Sequence, residues 1–177
     1  KSNDLELVNQ REEAKELLEE FNNILRTDHQ KRKEVLLRLL GKTAKNFLIE
    51  SPFSCDYGYN ISIGKNFYAN TNLTILDAGL VSIGNNVLVG PNVGIYTVGH
   101  PIHFMDRNKQ LEIAKPITIR NNVWIGGHVV INPGVTIGDN SVIGSGSVVT
   151  KPIPSNIVAA GNPCNVIRKI TEEDRLG

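Results

Sequence analysis

The chain has 177 residues, a formal net charge of +1 and 40% hydrophobic residues. That length fits one domain with a small appendage, and so balanced a charge excludes the strong field that nucleic acid or an anionic membrane would need. No apolar run approaches the roughly 18 residues of a membrane span.

The chain opens on Lys1 rather than Met, so a few further N-terminal residues are expected, and no secretory signal is visible in the rest. Cys55 and Cys164 lie 109 positions apart without metal-ligand spacing. They read as reduced thiols of a cytoplasmic protein.

Residues 1–46 hold 19 of the 37 charged side chains, which sets an N-terminal segment (1–50) apart in composition. Within it Leu7, Ala14, Leu17, Leu18, Phe21, Ile24 and Leu25 recur at helical spacing. A second helix is predicted to start on Thr27, with Gln30 reaching back as in a capping box. It turns Val35, Leu36, Leu39 and Leu40 inward and stops at Gly41. Helices this short cannot bury their stripes alone and must pack on the rest of the chain.

From residue 117 onward Ile119, Ile125, Ile131, Ile137, Ile143 and Val149 fall six apart. Val123, Val129, Val135, Ser141 and Ser147 stand four positions after the first five of these, and Gly126, Gly138 and Gly144 follow their isoleucines directly. The unit I-G-x-x-V-x recurs upstream at Ile63 and Phe67, Ile83 and Val87, and Val89 and Val93, with a two-residue slip near Val81–Ser82. Aliphatic residues two apart, such as Val123 and Ile125, face one side of a short strand. The glycine is expected to turn the chain through a positive φ. Strand and turn every six residues close a three-sided coil of 18 residues, so 61–98 and 117–150 make about four coils, stacked roughly 4.8 Å apart. So strict a period predicts a parallel β-helix over 51–151.

Residues 99–116 carry no hexad and are predicted to project as a loop, the usual place for function on a rigid repeat scaffold. Residues 152–177 read as an irregular proline-rich strap followed by a short helix or frayed tail.

His100 is the strongest chemical candidate. Gly99 and Pro101 flank it at the root of the projecting loop, and an imidazole is suited to general-base work near neutral pH. The plainer reading is a hydrogen-bonded structural histidine. His103 reads as a loop side chain, His128 as an outward residue exposed or at a subunit contact, and His29 as a solvated helix residue. Asn70, Asp77 and Tyr68 interrupt the aliphatic pattern and read as turn residues. Trp124 alternates with Val123 and Ile125, so it points outward, where a ligand or a neighbouring subunit must cover it. The G-S-G at 144–146 is explained by the hexad.

NFYAN at 66–70, GHP at 99–101, NNVWIGGHVVINPGVTIGDNSVIGSGSVVTK at 121–151 and AAGNPCNVIRKI at 159–170 resemble the maltose and galactoside O-acetyltransferases, a family of hexapeptide-repeat acyltransferases. The likeness runs over roughly residues 5–170. It implies a left-handed parallel β-helix, whose hand the period alone does not give, and a homotrimer with sites between subunits. It implies acetyl transfer from acetyl-CoA to a hydroxyl of a sugar or other small molecule, with no metal required. His100 then matches the family's catalytic histidine, and Asn70 the asparagine near the acceptor hydroxyl. Asp56, Tyr68 and Asp77 fall on the acceptor side. Gly90, Gly127 and Ser145 fall along the pantetheine, Trp124 belongs with the same cofactor-binding set, and Thr150, Lys151 and Arg168 fall at the nucleotide end. Lys1 stands where the family often has an acidic residue, and Asn165 where its strap is often basic.

Two other readings share the repeat. A metal-dependent, carbonic-anhydrase-like enzyme would need three converging histidines, drawn from His100, His103 and His128. A non-catalytic scaffold or ice-binding solenoid would show a regular threonine ladder outside, which the sequence lacks.

Overall fold

A computed structural model describes residues 4–176; Lys1 lies outside them. Helix α1 (Leu5–Asn23) starts on Asp4, and α2 (His29–Leu39) on Asp28, whose carboxylate accepts from the Lys31 amide at 3.2 Å. Asp28 thus takes the role expected of Thr27. Its charge suits the positive end of the helix better than a hydroxyl does. Leu25 is 76% exposed, not inward, because α1 ends before it.

Ala14, Leu18, Phe21, Val35, Leu36 and Leu39 join one core with the repeat. Polar ties reinforce that contact. The Asn22 side chain exchanges two hydrogen bonds with the Phe53 backbone, Arg26 donates to the Ser51 carbonyl, and buried Arg32 donates to that of Ile49. The helices thereby cover the open end of the solenoid, where unpaired strands would otherwise invite aggregation.

The rest is the expected left-handed parallel β-helix. Its first face stacks Lys42–Thr43, Ile61–Ile63, Val81–Ile83, Ile117–Ile119 and Thr136–Ile137. The second stacks Phe47–Ile49, Phe67–Ala69, Leu88–Val89, Trp124–Ile125, Val142–Ile143 and Ile157–Ala160. The third stacks Phe53–Cys55, Leu73–Leu76, Gly94–Tyr96, Val130–Ile131 and Val148–Val149. Five coils are complete, and the Ile137–Ile153 bridge and Ile157–Ala160 begin a sixth, against the four expected. Coil 1 hid because Phe47, Phe53 and Cys55 replace the usual Ile and Val, and coil 6 because prolines 152 and 154 interrupt it. Coil strands begin at Lys42, so a boundary at residue 50 falls inside the first coil.

The two-residue slip has a place. Thr43, Ile63 and Ile83 stack in register, so those coils take 20 residues, against 18 between Ile119 and Ile137. The additional residues lie at 56–60 and 77–80, on the vertex between the third and first faces. The insertion at 97–116 leaves from that vertex too. There Val98–Gly99 pairs antiparallel with Ile113–Ala114 around a short helix, Phe104–Arg107.

Gly126, Gly138 and Gly144 are not the positive-φ residues. A Cβ on Gly126 would lie 2.6 Å from the Ser145 amide nitrogen, and one on Gly138 2.5 Å from that of Ser155. They are glycines because the next coil stacks directly on them. The positive φ falls instead on Asn66, Asn86, Asn122, Asn140 and Asn156, at 56° to 61°. Their side chains join in a ladder of amide hydrogen bonds 2.8–2.9 Å long. Asparagine tolerates this conformation, and each side chain satisfies the next.

The strap is more regular than expected. Ile157–Ala160 and Asn165–Lys169 form an antiparallel hairpin, followed by a 3-10 turn at Glu172–Asp174. Among the described residues no helix is long and apolar enough to cross a membrane.

Candidate active site

The widened vertex is held together by buried polar groups. Asp77, fully buried, accepts from the amides of Asp56 and Tyr57 at 2.9 Å and of Gly58 at 2.8 Å. Thr97, also buried, donates to the Leu76 carbonyl at 2.6 Å and accepts from the Gly79 amide at 2.8 Å. Each insertion is thus pinned to the next, which keeps long turns from fraying. Burial pushes the Asp77 carboxyl up, against the opposing pull of its amide donors. Its oxygens are spent on the 56–58 turn, so its place in the structure is that of a brace. Asp56 beside it is part-buried, and its carboxyl is pushed up to about 6 by desolvation and then by the charge of Asp77, with Arg11 opposing.

His100 stands at the root of the inserted loop, directly after the two-residue ladder. Its Nδ1 lies 3.2 Å from the carbonyl oxygen of Leu111, across eleven residues of chain. A carbonyl can only accept, so Nδ1 is the donor, and the neutral tautomer that this contact selects has its lone pair on Nε2. The contact fixes the orientation of the ring. His103 stacks on Phe104, with ring centres 5.0 Å apart. His128 has φ 58° and ends a second ladder, its Nε2 3.3 Å from the Asn92 side chain. The three histidines do not converge. Among the described residues no group of three or more His, Cys, Asp or Glu could hold a metal ion.

The remaining candidates lie elsewhere. Asn70, Gly90, Gly127 and Ser145 occupy the vertex between the second and third faces, on coils 2 to 5. Asn70 accepts from the Thr71 amide at 2.8 Å, which leaves its NH2 group to donate outward. A Cβ on Gly90 would lie 2.6 Å from the Gly127 nitrogen, so coil stacking already demands a small residue there. The Gly127 amide has no carbonyl partner among the described residues.

Tyr68 and Trp124 lie on the second face, in register with Leu48, Leu88, Val142 and Val158. Trp124 points outward, 56% exposed. This column is apolar, whereas Ser62, Ser82, Thr118 and Thr136 occupy the equivalent line on the first face. Thr150 and Lys151 follow the last strand of the third face, back on the vertex of His100. Arg168, opposite Val158, grips Asp174 through two hydrogen bonds of 2.7 and 2.8 Å and holds that carboxyl well below its usual range, at about 2. Asn165 bonds the Pro163 carbonyl at 2.8 Å.

Tyr68, Trp124 and Arg168 thus lie on or beside the second face, and the other candidate residues on two vertices of one prism, separated by the width of the third face, on the order of 10 Å for strands this short. Reading the sequence missed Tyr57, Tyr59, Thr97 and Leu111, which shape the His100 vertex. None of them obeys the hexad, and only the slip near Val81 marked their neighbourhood.

Comparison with known proteins gives three matches to sequence families. Residues 1–44 match the maltose acetyltransferase hexapeptide capping motif, 80–102 the hexapeptide repeat of succinyl-transferase, and 116–151 the bacterial transferase hexapeptide (six repeats). The galactoside O-acetyltransferase of Escherichia coli is 52% identical over 96% of this chain and 83% of its own length. A structure of a galactoside acetyltransferase in complex with coenzyme A superposes with a TM-score of 0.96 at 50% identity, covering 98% of this chain and 87% of the other. That of a maltose O-acetyltransferase from Clostridium difficile gives 0.95 at 52% identity, covering 97% and 91%.

Proposed function

The chain belongs to the hexapeptide-repeat acetyltransferases of the maltose and galactoside type and is an acetyl-CoA-dependent O-acetyltransferase; on that premise we propose that it acetylates a sugar hydroxyl, with His100 as general base, in sites shared between three copies of the chain. The observation that carries this reading is the contact between His100 Nδ1 and the Leu111 carbonyl. It leaves Nε2 free as the acceptor of a proton.

The chemistry asks little more. A sugar hydroxyl is a weak nucleophile at neutral pH, while a thioester is activated and has a good leaving group. His100 Nε2 takes the hydroxyl proton as that oxygen bonds to the thioester carbonyl carbon. The unpaired Gly127 amide donates to the tetrahedral oxyanion, and the Asn70 NH2 group is available on the same side. The carbon–sulfur bond then breaks, and the proton passes from His100 to the departing thiolate. The products are an O-acetyl sugar and CoA thiol, with no net proton change and no acyl-enzyme. Gly90 and Ser145 line the path of the pantetheine, with Trp124 beside it. Thr150, Lys151 and Arg168 serve the nucleotide end, and Asp56 and Tyr68 the acceptor.

The assembly follows from the two vertices. Three prisms side by side would set the His100 vertex of one against the Asn70–Gly127 vertex of the next, and closed rotation gives three equivalent sites. The apolar column from Leu48 to Val158 supports such a contact, since an exposed Leu88 and Trp124 are costly uncovered. Buried, unpaired Cys55 and Cys164 fit a cytoplasmic enzyme. The test is a panel of glucosides, galactosides and maltose, scored by acetyl-CoA-dependent thiol release. Release with at least one sugar, and none without, is the expected result. Transfer only to non-sugar hydroxyls would refute the sugar assignment.

A further inference from the structure

A cleft of about 250 Å³ opens between α2 and the strand Phe47–Ile49, and none of the residues assigned to acetyl transfer lines it. α2 contributes His29, Arg32 and Lys33, which share one helical face, and Phe47 and Leu48 stand among the apolar walls. No carboxylate lines it among the described residues. Its two cations are poorly matched. The Arg32 side chain is only 3% exposed, its carboxylate contact is to Glu50 at 3.4 Å, and its Nε has no hydrogen-bond partner. Lys33 Nζ donates to the Lys45 carbonyl at 2.6 Å and has no acidic partner among the described residues. The helix adds to the imbalance. The first turn of α2 holds no acidic residue, although the N–H groups at that end carry partial positive charge. Asp28, which caps it, is already paired with Lys31 at 3.2 Å.

We propose that this cleft is a second ligand site, which takes a small amphipathic anion: a carboxylate on a compact apolar body. Basic residues at the positive end of a helix, with no compensating acid, break a local rule, and such breaks mark functional sites. Positive charge in excess beside apolar surface is unfavourable until a counter-anion arrives. A bare anion would balance the charge but leave Phe47 and Leu48 wet. A neutral apolar molecule would cover those walls and leave the charge unmatched. The carboxylate accepts from the remaining N–H groups of Lys33 and from the His29 ring, and charge assistance strengthens the first of these bonds. The volume is below the roughly 300 Å³ at which drug-sized pockets begin, so it admits one ring or a short chain and excludes a nucleotide. The inference stands apart from the acetyl-transfer reading, since it uses none of the residues placed in that site.

The probe is benzoate, with benzyl alcohol as its neutral counterpart and acetate as an anion without an apolar body. Binding is read from the NMR shifts of the Leu36, Leu48 and Ile49 methyl groups in the whole protein, with and without saturating CoA. Benzoate is expected to shift them saturably with a Kd on the order of 1 mM, the range its roughly nine heavy atoms allow, and CoA should not displace it. Benzyl alcohol and acetate should each bind about tenfold more weakly. Lys33→Met keeps the stem and removes the charge, and should weaken benzoate about fivefold. Where that variant folds poorly, the three probes on wild type decide alone. No saturable shift at these methyl groups, equal binding of benzyl alcohol or acetate, unchanged affinity in Lys33→Met, or displacement by CoA overturns the inference.

Discussion

His100 Nδ1 and the Leu111 carbonyl oxygen, 3.2 Å apart, close the inserted loop back onto its own root. The contact orients the ring and fixes which nitrogen is basic. His100→Ala is therefore expected to lower kcat by about 10²–10⁴-fold, the usual share of a general base. CoA affinity should be kept, since the residues proposed to line the pantetheine stand on the other vertex. Steady-state kinetics with a CoA titration checks this, and a near-wild-type kcat would contradict it.

Asp56 gives the enzyme a pH signature. Its folded-state pKa is raised to about 6, so the fold binds this proton more tightly than the unfolded chain does. The penalty is present in full above pH 6 and is relieved as pH falls toward the ordinary carboxylate range near 4. Asp56→Asn is expected to stabilise the protein at pH 8 by on the order of 1 kcal/mol, discounted for the part-exposed position, with the gain vanishing below pH 4. Urea denaturation of both proteins at pH 8 and pH 4 measures the difference.

At the nucleotide end, Arg168 is already engaged by Asp174. On the proposed role of Arg168, a CoA phosphate competes with that carboxylate. Asp174→Asn is expected to raise affinity for CoA two- to fivefold and to leave dephospho-CoA unchanged. Lys151→Ala should raise the KM for acetyl-CoA more than it lowers kcat. Calorimetric titration of CoA against dephospho-CoA on the two variants separates these effects from a general loss of structure.

The solenoid was legible because six consecutive repeats leave one way to bury their aliphatic pairs. Coil 1 was not, since Phe47 and Phe53 serve the core equally well without keeping the Ile–Val signature. The asparagine ladder could have been found: Asn66, Asn86, Asn122, Asn140 and Asn156 recur at one position of the coil. It was masked because the glycines offered a simpler explanation of the turns. The place of His100 at the root of the inserted loop was legible through its flanking Gly99 and Pro101. Its partner Leu111 was not, because a backbone carbonyl leaves no mark in sequence. Asp77 reads two ways in sequence: its break in the aliphatic pattern marks an interior brace as readily as a ligand residue, and the structure shows three backbone amides on its carboxylate.

The arrangement of one site across two chains is tested most directly by mixing two inactive proteins, His100→Ala and Asn70→Ala, under conditions that exchange subunits. His100 stands on one vertex and Asn70 on another, so an equal mixture should pair two intact walls at about one site in four in a closed trimer. About a quarter of wild-type activity should then return. Activity no higher than that of the separate variants, or a monomeric mass in solution, would contradict the shared site.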